Sequence, residues 1–256
     1  MRTISDSLFH SPNTLFLQTY YLSLLNVLTL FSISECDRLY WSCLRRSRRG
    51  VNLSVEMLRH GKKAGRSPEH RLAADVESLP FADNLFDFAL ANTVLHWLNV
   101  PESVHTIEPA IREMKRVLKK KALLALSIAG VGTAVRFQES YRRVVEPLTT
   151  GLPSSAPPFR YDPIGCMERK DVVCALEKAG FEVIWAQMFY EPVSYEDGGA
   201  YATDVEAYGY GIYLASFPEE CRPAIWKRIV DDFVKSISPG RYEHDQYMIY
   251  AIARRS

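Results

Sequence analysis

The chain has 256 residues, of which 47% are hydrophobic and 24% charged, and its formal net charge is +1. That length supplies one large domain with a real core, or two small ones. The even charge balance excludes a protein that holds nucleic acid through its overall field. The two basic runs, RRSRRG at 45–50 and KRVLKKK at 115–121, read as solvated helix ends. Five cysteines (Cys36, Cys43, Cys166, Cys174 and Cys221) are odd in number and show no C-x-x-C pair. No metal site or disulfide framework is therefore expected, and reduced thiols in a cytoplasmic protein are.

Residues 1–26 form an N-terminal segment without a clear element. From Ser7 to Ser34 there is no Asp, Glu, Lys or Arg. A membrane span needs about 20 mostly apolar residues, but Asn13, Gln18, Thr19, Ser23, Asn26 and Thr29 interrupt this run. Arg2 alone does not make the basic start of a signal peptide. The run reads as a buried segment rather than an anchor.

Strands are expected at Val27–Ile33, Val51–Leu53, Arg71–Val76, Phe86–Asn92, Ala122–Ile128, Phe181–Met188 and Tyr247–Ala253. Several are continuous aliphatic runs, as in parallel strands buried on both faces. Helices fit between them. Ser54 can cap one that starts at Val55. Ala110, Ile111, Met114, Val117 and Leu118 make an apolar stripe, with Pro109 at the first helical position. A third helix runs from Lys170 to Lys178, and Gly180 supplies its left-handed stop. The Pro-, Gly- and Ser-rich segment 147–168 reads as a surface connection. Residues 190–216, rich in Tyr and Gly, read as an irregular insert, and helical spacing returns at 218–237. Inserts beside the carboxyl ends of the last strands would line a ligand pocket.

The stretch VNLSVEML (51–58), AADVESLPFADNLFD (73–87), ANTVLHWL (91–98) and REMKRVLKKKALLALS (112–127) resembles, in order and spacing, the Rossmann-like S-adenosylmethionine-dependent methyltransferases. The likeness is to class I, type 11-like members such as the trans-aconitate and malonyl-carrier O-methyltransferases. It covers roughly 27–130, and LEKAGFEV and YMIYAIARR resemble the last two strands. The resemblance implies an α/β fold: a seven-stranded, mostly parallel sheet with an antiparallel last strand and helices on both faces. It implies a single domain over 27–256, with a cofactor-binding half at 27–133 and substrate-side inserts with the last two strands at 134–256.

By the same resemblance, S-adenosylmethionine is the cofactor and Asp75 accepts from its adenine amino group. The N–H of Val76 meets the adenine ring. Asn52, followed by Leu53, stands where the family's ribose-binding acid stands; as an amide it is the weaker acceptor. Asn92 and Thr93 lie beside the methionine part. His96 and Trp97 match a pair near the cofactor or substrate. His96 is the candidate base, ahead of His105 and His244, with a packed histidine as the alternative reading. Trp97, Arg136 and Tyr208 are candidates for the substrate pocket, Arg136 and Arg160 as partners for a carboxylate. Most tyrosines of the second insert read as packing.

Two departures stand out. The family's acid and glycine-rich loop after the first strand fall on Thr29, Phe31, Ile33 and Glu35, whose side chains would fill cofactor space. Lys119–Lys120–Lys121–Ala122 replaces a Pro-Gly-Gly turn. The expected activity is methyl transfer to a carboxylate or hydroxyl oxygen of a small molecule. The alternative is an inactive, methyltransferase-like binding protein, or a chain whose residues 1–50 come from an altered start or frame.

Overall fold

The computed structural model describes residues 27–31, 48–53, 55, 58–59, 70–99, 106–149, 165–214, 217–237 and 240–256. Its main sheet is built from β1 (Val27–Phe31), β2 (Arg48–Asn52), β3 (His70–Ala73), β4 (Phe86–Asn92), β5 (Leu118–Ala129), β6 (Phe181–Tyr190) and β9 (Tyr247–Arg255), in the order β3-β2-β1-β4-β5-β9-β6. A separate hairpin pairs β7 (Val193–Tyr195) with β8 (Tyr242–His244). The helices are α1 (Ile107–Val117), α2 (Val135–Thr149), α3 (Arg169–Lys178), α4 (Gly198–Tyr213) and α5 (Arg222–Ser236). Val55, Leu58 and Arg59 are also helical, just after β2.

The sheet is mixed. β2 and β3 are parallel, as are β4 and β5, and β9 runs antiparallel to both β5 and β6, as expected of a last strand. β1 departs from expectation. It takes the central slot but runs antiparallel to β2 and to β4. Val27 therefore sits beside Asn92, at the carboxyl end of β4, while Phe31 pairs with Arg48 and Phe88 at the opposite edge. Apolar character placed this strand in the sheet; it carries no information about direction.

β4 and β5 hold the core. Ala89, Ala91, Leu124 and Leu126 meet α1 and α3 on one face through Ile111, Met114, Val172 and Leu176. Leu90 and Ala125, on alternate positions, are buried as well. That two-sided burial explains why these strands lack a polar alternation. Pro109 stands at the third position of α1 rather than the first, where its missing N–H still costs no helical hydrogen bond. Gly180 has φ of +83° after α3, as expected.

A second core joins α2, α4 and α5 through Phe137, Tyr141, Tyr201, Tyr213, Trp226 and Phe233. The insert expected to be irregular over 190–216 is thus largely helical. Its start is marked by Asp197, whose Oδ1 accepts from Ala200 N–H at 2.8 Å as a helix cap. Among the described residues no helix is long and apolar enough to cross a membrane.

The Lys119–Ala122 departure has a structural cost. The pairing of β4 with β5 shifts register between Phe86 and Phe88, and Lys121 takes φ of +65°. An exposed lysine sits where a glycine would be free of strain. Lys121→Gly is expected to raise the unfolding free energy by about 1 kcal/mol, read as a higher urea midpoint with an unchanged slope.

Candidate functional site at the strand ends

The carboxyl ends of β2, β3, β4 and β5 lie on one edge. Asn52 closes β2, half-buried, and its carbonyl accepts from Ala74 N–H at 3.2 Å. Leu53 is 75% exposed, too open to wall a dry pocket. Asp75 is exposed and shapes the turn that follows β3: its Oδ1 accepts from Glu77 N–H at 2.9 Å and its carbonyl from Ser78 N–H. Val76 is buried, and its backbone N–H carries no hydrogen bond among the described residues.

The Leu79–Phe81 segment that follows is held from α1 by Glu113 and by Arg116, the latter within the run expected to be a solvated helix end. Arg116 donates to the carbonyls of Leu79 and Phe81 at 2.8 and 2.7 Å and to Asp83 Oδ1 at 2.7 Å. Glu113 accepts from Leu79 N–H at 2.9 Å and pairs with Arg116. The Arg116 hydrogen bond holds the Glu113 carboxyl below the usual carboxylate range. The available signal was the i, i+3 spacing of Glu113 and Arg116 opposite a proline turn. Replacing Arg116 with Met is expected to cost about 2 kcal/mol of stability and to loosen the Asp75 turn, read as faster amide exchange at Glu77 and Leu79.

Asn92 ends β4 and is buried. Ser127 of β5 donates its hydroxyl to Asn92 Oδ1 at 2.8 Å, and Asn92 Nδ2 is left buried with no partner among the described residues. Thr93 donates its N–H to the carbonyl and Oγ of Ser127, both at 3.1 Å, and has φ of +50°. A β-branched residue in that region is strained, and such strain gathers at ligand sites. Ser127 was not among the candidate residues; its place next to Asn92 follows from the β4–β5 register.

The turn at 95–99 is packed between β5 and Gly165. A Cβ on Gly165, which has φ of +57°, would fall 2.6 Å from the His96 carbonyl oxygen. His96 is 5% exposed and its Nδ1 accepts from Ala129 N–H at 3.4 Å. Burial pushes its pKa down to about 3. A ring whose Nδ1 faces a donor and which resists protonation fits the packed-histidine reading of His96. His244 is likewise buried, lies flat on Tyr201 at 4.6 Å, and is lowered by burial to about 4. Trp97 is half-buried against the second core. Arg136, exposed in α2, lines a pocket at the far end of the edge. The side chain of Tyr208 and residues His105, Arg160, Ile33 and Glu35 lie outside the described residues. Phe31 does not occupy this edge, because β1 is reversed.

Residues 38–126 match the family model described as a methyltransferase domain. A malonyl-[acyl-carrier protein] O-methyltransferase of Geobacter sulfurreducens is 30% identical over 160 residues, 62% of this chain and 52% of that protein. One from Gallionella capsiferriformans is 26% identical over 183 residues, covering 71% of this chain and 57% of the relative. The chain spans about half the length of these curated relatives. The solved structure of loganic acid methyltransferase with SAH shares the fold, with a TM-score of 0.55 and 12% identity over 81% of this chain and 73% of that one. The resemblance to class I, type 11-like methyltransferases therefore holds, and S-adenosylmethionine is the cofactor this kinship implies. The ends of β2, β3 and β4 fit it: an exposed carboxylate at Asp75, an unused N–H at Val76 and an orphaned donor at Asn92.

The two buried histidines give a pH signature. An unfolded histidine takes a proton near pH 6.5, whereas these do so only near 3 and 4. Their neutral forms favour the fold above pH 6.5, and stability falls as pH drops below it. Between pH 6.5 and 5 each should remove about 1 to 2 kcal/mol. His96→Asn should flatten that slope in denaturation series, whatever its effect on absolute stability.

Proposed function

We propose that this protein transfers a methyl group from S-adenosylmethionine to a carboxylate oxygen of a small molecule or acyl carrier. The observation that carries the reading is the buried Asn92, whose unpaired Nδ2 lies at the end of β4 on the edge that also bears Asp75. When bound, the cofactor supplies an electrophilic methyl on a sulfonium. Asp75 and Val76 would hold its adenine, Asn52 its ribose hydroxyls, and Asn92 with the Thr93 turn its amino-acid end. A hydroxyl acceptor needs a base. His96 and His244 are both buried and held neutral, so an acceptor that is already an anion suits the site better. Alignment then does most of the catalytic work. The malonyl-carrier O-methyltransferase names of the curated relatives agree with such an acceptor.

One observation favours a second reading, a methyltransferase-like binding protein without activity. With β1 reversed, its last residue, Phe31, stands at the edge opposite Asn92, away from the strand ends that would hold the cofactor. Calorimetric titration with S-adenosylmethionine separates the two. Micromolar binding is expected, weakened about tenfold in Asp75→Asn, which keeps the turn's acceptor but loses the charge. Absence of binding at millimolar cofactor would leave the inactive reading standing.

A further inference from the structure

A pocket of about 390 Å³ opens at the same sheet edge, at the end away from Asn52 and Asp75. It lies between the end of β6, the first turn of α2 and the β8–β9 connection. Arg136, Arg241, Glu243, Asp245, Tyr190 and Tyr242 line it. On β8, Tyr242 and His244 turn inward, so Glu243 turns out. Neither arginine has a hydrogen bond or ion pair among the described residues, and Glu243 has none either. Asp245 accepts from Tyr190 Oη at 2.9 Å, which leaves its second oxygen available.

Two arginines and two acidic residues thus line one cavity, with no ion pair between them among the described residues. An anion would meet the arginines but also face both acids. A cation would face both arginines. A ligand with both charges complements all four. Two arginines suit a carboxylate, which they bind through paired N–H donors, and the acids suit an ammonium. We propose that this pocket binds a zwitterionic small molecule, its carboxylate on Arg136 and Arg241 and its cationic group on Glu243 and Asp245. The pocket stands on its own geometry and does not rest on the methyl-transfer reading.

The test uses the full chain without cofactor. Calorimetric titrations with glycine, 4-aminobutyrate and 6-aminohexanoate are compared with butyrate and butylammonium at matched ionic strength. At least one amino acid should bind saturably, about tenfold or more tighter than either singly charged probe, a difference of about 1.4 kcal/mol. Arg136→Gln and Glu243→Gln should each weaken it by about tenfold. Both side chains are exposed, and unchanged thermal melting confirms that the variants fold. Butyrate binding as tightly as the amino acids, unchanged affinity in both variants, or no binding by any amino acid of the series overturns the proposal. Loss of S-adenosylmethionine binding alone would leave it intact.

Discussion

Ser127 and Asn92 stand side by side near the ends of two strands that are buried on both faces there. The hydrogen bond between them, 2.8 Å long, fixes the edge on which a ligand can be held. Neither side chain has solvent to satisfy it, so each must answer to the other or to a ligand. The bond uses the oxygen of Asn92 and leaves its amide donor over. The same serine, through its carbonyl and hydroxyl, takes the N–H of Thr93 and bends the chain away at once. One serine thus orients the buried amide, sets the left-handed turn and starts the packed segment that contains His96.

The other half of the edge is held from outside the sheet. α1 buries its apolar stripe against β4 and β5 and extends Arg116 over the Leu79–Phe81 turn. A proline turn has few donors of its own, and a planar guanidinium meets its carbonyls two at a time. Arg116 is nearly a third exposed, so its value lies in geometry more than in ion-pair energy. It holds the Leu79–Phe81 segment that follows the Asp75 turn.

Much of this was legible in the residues. Apolar runs marked the strands, and β4 was bounded correctly from Phe86 to Asn92, where burial is continuous from Ala89 onward. Gly180 was readable as a helix stop because only a free φ fits there. The turn after Asp75 was readable from Leu79–Pro80–Phe81. Three things were not. Strand direction leaves no trace in four apolar residues and a threonine, so β1 was given the wrong sense and Phe31 the wrong edge. The helical nature of 198–213 was hidden by glycine and tyrosine, residues whose own preferences oppose a helix. The packing of His96 against β5 and Gly165, far away in sequence, left no mark near the residue itself.

The reversal of β1 also has a mechanical consequence. Parallel neighbours need a long, handed crossover, whereas an antiparallel strand needs only a return. In sheet order, β3 and β2 stand on one side of β1, and β4, β5, β9 and β6 on the other. The backbone ladder between these two plates therefore passes through five residues. Asn52 and Asp75 belong to the smaller plate, Asn92 and Thr93 to the larger. A ligand lying along the edge would span the seam, with Arg116 as the side-chain strap across it. Occupancy of the edge and cohesion of the sheet are, in this arrangement, a single mechanical property.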